Sequence, residues 1–181
     1  MLTAGILTPA AFAHTLYPQW VAYRRKHLLI GCHRKDNRTF ELAEVLVEGI
    51  NHAVPAASAR AARAPHPERL ASLLRTDQIE LAVLPRAEAH AMLDGAGRFA
   101  PYGRIGLTRI ADYGDYVLAA DADFPARHAW MVSSALAEAE LTIPGPADTV
   151  LRLHPGAERY YKEIGAKIPE PYQVGDKWVA K

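Results

Sequence analysis

Basic side chains follow each of three short apolar runs, and they are the residues of this sequence best placed to bind a ligand. The predicted ligand-binding residues are His33, Arg34, Lys35, Arg38 and Thr39 after the first run, Arg63 and His66 around the end of the second, and Arg86 after the third. Ligands of open α/β sheets bind beyond the carboxyl ends of the strands, where helix N-termini also favour negative charge. The pattern therefore predicts an anion site; the alternative is that these are solvated bases of an ordinary surface.

Histidines suggest a second kind of site at the same edge, because His33, His66 and His90 each follow a successive apolar run. Asp36 adds an oxygen donor, and imidazoles with a carboxylate suit zinc, copper or another transition metal. No two histidines have a close ligand spacing such as H-x-x-x-H. A metal site is therefore one hypothesis, and ordinary surface or half-buried histidines are the other.

Cys32 and His33 are adjacent and resemble a nucleophile with its base. Neighbouring residues at a strand end point to opposite faces, so the two side chains are not expected to act together. Cys32 is better explained as a small buried apolar group. The sequence contains no motif for hydrolase, nucleotide-binding or zinc-protease chemistry. It therefore predicts a protein that is not an enzyme and that uses no cofactor.

Strands that alternate with helices would position these residues. The predicted strands are 27–32, 57–64 and 79–84. A helix follows each strand: the first is expected to be capped by Thr39, the second begins at Pro67, and the third runs from Arg86 towards Gly95. This alternation predicts an α/β fold with a parallel sheet between two helical layers.

The second half of the sequence is expected to complete the same sheet. Two apolar runs within 105–120 predict chain that returns to it. Pro125 then begins a fourth helix, and His154 with Pro155 forms a structural corner before a last helix that ends at Gly165.

One α/β domain over 27–168 is expected, preceded by an N-terminal arm or signal-like segment, 1–26, and followed by a tail, 169–181. The arm contains Ala11-Phe12-Ala13, a small-x-small pattern typical of signal-peptidase sites, although no basic residue precedes it. A periplasmic location is therefore predicted. The formal net charge of +1 creates no broad field that would attract nucleic acid.

Three segments of the sequence carry a resemblance to a known family. The segment LHPGAERYYKEIG (153–165) resembles the C-terminal signature of the TAXI family, the solute-binding receptors of tripartite TRAP transporters. ASLLRTDQIELAVLP (71–85) and GDYVLAADADFPARHAWMVSSAL (114–136) resemble its helix-to-strand passage and its late strand and helix. The resemblance implies one lobe of a type II periplasmic binding protein, because the family inserts its second lobe between the third helix and the returning strand, and too few residues lie there in this sequence to build one.

The resemblance implies a solute-binding-like module that serves a transporter. The glycine-rich ligand loop of the family is replaced by 32–40, which has no glycine, so the expected ligand is a different small anion. The alternatives are an interaction or dimerisation protein with a vestigial crevice, and a transition-metal-binding accessory protein. Loss of a second lobe would leave apolar surface near 105–120, which a transporter membrane subunit, another protein or a second copy would cover.

Overall fold

The apolar runs form one five-stranded mixed sheet. The computed structural model describes residues 23, 26–141, 148 and 150–165. Its strands are β1 (Leu29–His33), β2 (Arg60–Ala64), β3 (Leu81–Pro85), β4 (Leu107–Tyr113) and β5 (Tyr116–Asp121), in the order β2-β1-β3-β5-β4. As predicted, β1 runs parallel to β2 and β3. The expectation of a wholly parallel sheet is wrong, because β5 is antiparallel to both of its neighbours.

Helices in the described residues cover both faces of this sheet. They are α1 (Asn37–Ala53), α2 (Pro67–Arg75), α3 (Arg86–Asp94), α4 (Ala126–Glu138) and α5 (Pro155–Glu163). α1, α4 and α5 share one core, which contains Leu46 and Leu136. α2 and α3 share a second core on the opposite face, which contains Leu74 and Met92. The predicted α/β class is therefore confirmed, with a mixed sheet at its centre.

The first helix begins earlier than predicted because Asp36, and not Thr39, caps it. The Asp36 Oδ1 accepts a hydrogen bond from the Arg38 N–H at 2.9 Å. Thr39 is buried in the first turn, where its hydroxyl lies 2.7 Å from the Asp36 carbonyl oxygen and 3.3 Å from the His33 nitrogen. A threonine inside a helix bonds back to a carbonyl of the preceding turn in this way. Thr39 thus links β1 to α1, and the cap prediction is wrong.

The segment 105–120 returns to the sheet, as predicted, and does so as a hairpin of β4 and β5. Gly114 turns the chain with a φ of +75°, which L side chains rarely adopt, and its N–H bonds the Asp112 Oδ1 at 3.0 Å. Most residues of both strands are buried within the chain itself. The uncovered apolar surface expected here is therefore wrong, because the two helical layers already cover these strands.

The predicted corner before α5 is present and ties the end of the domain to α4. The buried His154 accepts the Gly156 N–H on Nδ1 at 3.0 Å and donates from Nε2 to the Phe124 carbonyl at 2.9 Å. Burial lowers the pKa of His154, which favours the neutral imidazole that this pattern requires. A Cβ on Gly156 would lie 2.0 Å from the Ala126 carbonyl oxygen, so only glycine fits at this approach of α5 to α4.

Two predicted segments lie largely or wholly outside the residues that the structure describes. The tail, 169–181, lies outside the described residues, and so does nearly all of the arm, 1–26. Among the described helices, none combines the length and the apolar character needed to cross a membrane.

Candidate functional site

The candidate site is the edge of the sheet where β1, β2 and β3 end and α1, α2 and α3 begin. Because these strands are parallel, their carboxyl ends meet on one side of the sheet. The structure therefore brings the predicted ligand-binding residues to one edge, as the sequence indicated. It also gives most of them partners within the protein, which changes what each could bind.

His33 is sealed inside the edge and does not face solvent. Its side chain is 2% exposed, and its Nε2 lies 3.1 Å from the Glu88 Oε2 in the first turn of α3. Its Nδ1 has no hydrogen-bond partner among the described residues. Since its backbone also bonds Thr39, His33 joins β1 to both α1 and α3. His33 and Thr39, which were predicted to bind a ligand, are thus committed to the framework of the edge.

Arg63 and His66 also have local partners. The Arg63 Nη2 donates to the Asn37 Oδ1 at 2.7 Å, and its guanidinium carbon lies 4.5 Å from the centre of the Phe40 ring. This is a cation–π contact, which holds the guanidinium against Phe40 of α1. His66 caps α2, because its Nδ1 accepts the Arg69 N–H at 3.2 Å. Both side chains remain exposed, although each already has a partner within the protein.

Arg86 lies in a charge network that satisfies its guanidinium. It donates to the Asp112 Oδ2, to the Asp148 Oδ2 at 2.8 Å and to the Gly114 carbonyl at 2.9 Å. The buried Arg109 donates to the same Asp112 oxygen at 2.7 Å. Two carboxylates thus balance two guanidinium groups. Arg86 is held by carboxylates of its own chain where an anionic ligand was expected.

Hydrogen bonds keep Asp148 ionised within this network. Burial raises its pKa, but backbone N–H groups of Leu151 and Val150, together with His90 and Arg86, outweigh burial and lower it to about 2. The His90 Nε2 lies 3.0 Å from the Asp148 Oδ2. For Arg86, burial lowers the pKa, and the bonds to Asp112 and Asp148 overcome that effect and raise it. Asp148 and Arg86 are therefore both charged at neutral pH.

The histidines do not gather into a metal site. His33 faces Glu88, His90 faces Asp148, and His66 caps its own helix, so each imidazole has a different neighbour. Asp36 is occupied as a helix cap and as the acceptor of the Tyr116 hydroxyl at 2.9 Å. Among the described residues, no group of three or more His, Cys, Asp or Glu side chains could hold a metal ion. The metal hypothesis for these four residues is therefore wrong.

Arg34, Lys35 and Arg38 are the predicted site residues that remain available. All three are exposed, and their side chains form no hydrogen bond or ion pair with a described residue. They surround Asp36, whose two carboxylate oxygens are already engaged. The loop between β1 and α1, together with the first turn of α1, therefore presents three cations to solvent, and this segment, 34–38, forms a cationic loop at the N-terminus of a 17-residue helix.

Sequence reasoning missed the acidic and phenolic partners of this edge, which are Glu88, Asp112, Asp148 and Tyr116. Burial, followed by the nearby Asp36 carboxylate, raises the pKa of Tyr116 to about 12, so its hydroxyl stays protonated and donates. Of these four partners, only Glu88 could have been found from local spacing, because it lies in the first turn of the helix that begins at Arg86. Asp148 comes from 62 residues away, and no local pattern connects it to Arg86.

Cys32 is buried, as predicted, and is not activated. Burial raises the pKa of its thiol to about 11, so the reactive thiolate is scarce at neutral pH. The Sγ donates weakly to the Ala62 carbonyl at 3.8 Å. No feature of its surroundings suggests a nucleophile, which agrees with the reasoning from strand geometry.

The fold defines the chain as an α/β domain with a mixed sheet between helices, and its candidate site is a cationic loop at the sheet edge. No model of a known protein family matches the chain, and no curated protein matches it significantly.

Proposed function

We propose that the chain is a non-catalytic, solute-binding-like module of the periplasm, built as a single α/β lobe. The resemblance of 153–165 and two other segments to TAXI receptors supports this proposal. The α/β architecture and the three parallel strands are compatible with such a lobe. A transporter membrane subunit is the partner that the resemblance implies.

The observation that carries the proposal is the group of three exposed cations after β1, whose side chains form no hydrogen bond or ion pair with a described residue. Arg34, Lys35 and Arg38 lie within five residues, and the α1 N-terminus behind them favours negative charge. Arg63 and Arg86 strengthen the local positive potential less, because protein partners already hold their guanidinium groups. The ligand proposed for this loop is a small anion with at least two negative charges.

Affinity for such an anion is expected to be weak. A single lobe cannot close around its ligand, so little ligand surface is buried and charge supplies most of the binding free energy. Calorimetric titration with citrate, succinate and inorganic phosphate tests the proposal. We expect binding in the millimolar range that weakens as salt is raised, since exposed charges are screened.

A matched pair of variants identifies the site. The triple variant R34A/K35A/R38A should weaken anion binding about tenfold or more, because each substitution removes one charge–charge contact. R60A/R75A/R152A removes the same charge from other exposed positions and should leave binding nearly unchanged. Equal effects of the two triple variants would show that only the net charge of the chain matters.

One observation favours an interaction protein as the second candidate. The inner part of the edge is closed by its own ion pairs, since Asp112 and Asp148 occupy Arg86. A crevice that no longer takes a solute could present its outer cations to an acidic protein or to a second copy of the chain. If no anion binds at millimolar concentration, this candidate replaces the first, and sedimentation equilibrium then distinguishes self-association from a separate partner.

A further inference from the structure

A cavity lies at the opposite edge of the sheet from the cationic loop. Its volume is about 560 Å³, and it lies between the end of α1, the turn Pro55–Ala57 and the first turns of α4. Leu28, which precedes β1, Glu80, which precedes β3, and Phe124, which follows β5, also line the cavity. The cavity is therefore at the amino edge of the parallel strands, where sequence reasoning predicted no site.

The inner walls of this cavity are apolar. They include Leu28, Ile50, Phe124, Val132 and Ala135, which come from both sides of the cleft between α1 and α4. A volume of this size falls within the range of small-molecule sites, which are mostly apolar and carry a few polar groups that orient the ligand. The walls suit a hydrocarbon chain or a ring better than a hydrated ion.

Charged groups line the same cavity, and positive charge predominates among them. Lys26 and Arg127 are exposed, and neither side chain forms a hydrogen bond or ion pair with a described residue. Glu80 also lines the cavity, and burial raises the pKa of its carboxyl group, which favours the neutral acid. Lys26 and Arg127 therefore outnumber the one acidic group beside the apolar interior.

We propose that this cavity binds an amphipathic carboxylate, a molecule with an apolar chain or ring and one anionic head group. The apolar part lies against Phe124 and Val132, and the carboxylate lies between Lys26 and Arg127. Carboxylates form strong charge-assisted hydrogen bonds with guanidinium and ammonium groups, and burial of the chain adds hydrophobic free energy. The site is independent of the cationic loop, so either proposal can fail without the other.

Octanoate is the probe, and calorimetry or NMR titration of the whole chain measures its binding. Acetate, which has the head group without the chain, should bind at least about tenfold more weakly, because the apolar walls contribute little to it. Octylammonium, which has the chain with a cationic head group, should also bind more weakly than octanoate. Octylammonium that binds as tightly as octanoate would overturn the assignment of charge, since Glu80 would then be the group that selects the ligand.

Variants at the cavity separate a specific site from general attraction. K26E/R127E should raise the octanoate Kd about tenfold or more. This variant should fold, because a glutamate in the first turn of α4 is favourable at a helix N-terminus. R75E/R152E makes the same change of charge elsewhere on the exposed surface and should leave the octanoate Kd within about twofold of the original.

A bulky substitution tests whether the cavity itself binds the hydrocarbon chain of octanoate. Met131 lines the cavity and is 37% exposed, so M131W should fill part of the space without disturbing either core. We expect M131W to abolish octanoate binding, and R34A/K35A/R38A to leave it intact. Unchanged octanoate binding by M131W, or no octanoate binding by the original chain at millimolar concentration, would overturn the proposal.

Discussion

Asp112 lies between the guanidinium groups of Arg86 and Arg109, and its side chain is only 3% exposed. Charges taken out of water are stabilised only while their counter-charges are present, so the loss of one partner is far more damaging than the presence of the pair is helpful. The same ion pairs on an exposed surface contribute little. Asp112 is therefore the residue on which the stability of the candidate edge depends most.

Replacing Asp112 with asparagine should lower the free energy of unfolding by about 3–5 kcal/mol, because two guanidinium groups lose a shared counter-charge. Urea denaturation followed by far-UV circular dichroism measures the change. K162A is the control, since it breaks the exposed helical pair with Glu158 and should lower the free energy of unfolding by about 0.5 kcal/mol or less. Similar losses for the two variants would contradict the role assigned to Asp112.

Asp148 should make stability depend on pH in the acidic range. Its pKa in the folded protein is about 2, below its ordinary value of 3.8, so the unfolded chain binds a proton more readily. The contribution of ionised Asp148 to the free energy of unfolding is therefore complete above about pH 5, and it is lost as the pH falls towards 2. The difference in unfolding free energy between the original chain and D148N should shrink over this window. A difference that stays constant with pH would contradict the prediction.

The sequence revealed which bases meet at the edge, but not which of them are free. Parallel strands bring Arg63 and Arg86 to the same side of the sheet, and this follows from the order of strands and helices alone. Their availability depends on Asn37, Asp112 and Asp148, whose positions are set by tertiary packing. Because Asp148 is 62 residues from Arg86, no periodicity or spacing in the sequence could pair them.

At the scale of secondary structure, α5 lies so close to α4 that the contact requires a glycine. The Cβ absent from Gly156 would meet the Ala126 backbone at 2.0 Å. Backbone at that position cannot rotate out of the way as a side chain can. The buried Tyr161, whose hydroxyl donates to the Ile110 carbonyl at 3.0 Å, further ties α5 to β4.

G156A should destabilise the domain by about 1–3 kcal/mol or more, because the added methyl group forces α5 away from α4. Chemical denaturation measures the loss. G106A provides the control, since its Cβ would meet only the Ala122 Cβ, at 3.2 Å, and a shift of a few tenths of an ångström relieves that contact. If G106A were as unstable as G156A, the close helix approach would not be the cause.

Most elements could be predicted because their signals are local. Pro67, Arg86 and Pro155 begin helices where the sequence indicated, and Gly95 ends α3 with a φ of +62°. The direction of β5 could not be predicted, because an apolar run is the same whether its strand is parallel or antiparallel. The hairpin turn at Gly114 was the local sign that β4 and β5 run in opposite directions.

At the scale of the whole molecule, one sheet separates two cores, and β2, β3, β4 and β5 contribute apolar residues to both of them. Leu84 faces the core of α2 and α3, and its neighbour Val83 faces the core of α1, α4 and α5. A substitution that destabilises one core therefore also destabilises the sheet, and the other core packs against that same sheet. We expect the domain to unfold as one cooperative unit, as small single domains usually do.

Trp130 tests this cooperativity, because it packs on the α4 side, edge-on to Tyr160 with ring centres 5.6 Å apart. In a background with Trp20 and Trp178 changed to phenylalanine, L74A in the opposite core should lower the unfolding free energy reported by Trp130 by about 2–5 kcal/mol. L46A, on the Trp130 side, is the matched comparison. A Trp130 transition that moves with L46A but not with L74A would mean that the two faces unfold separately.

The buried Cys32 can report how often the native protein opens around β1. The chain has a single cysteine, and its thiol lies in the core with a pKa of about 11. A thiol reagent at neutral pH can therefore modify the native protein only after the region around β1 opens and the thiol reaches water. The rate of labelling therefore measures how readily the region around β1 opens, and no engineered cysteine is needed.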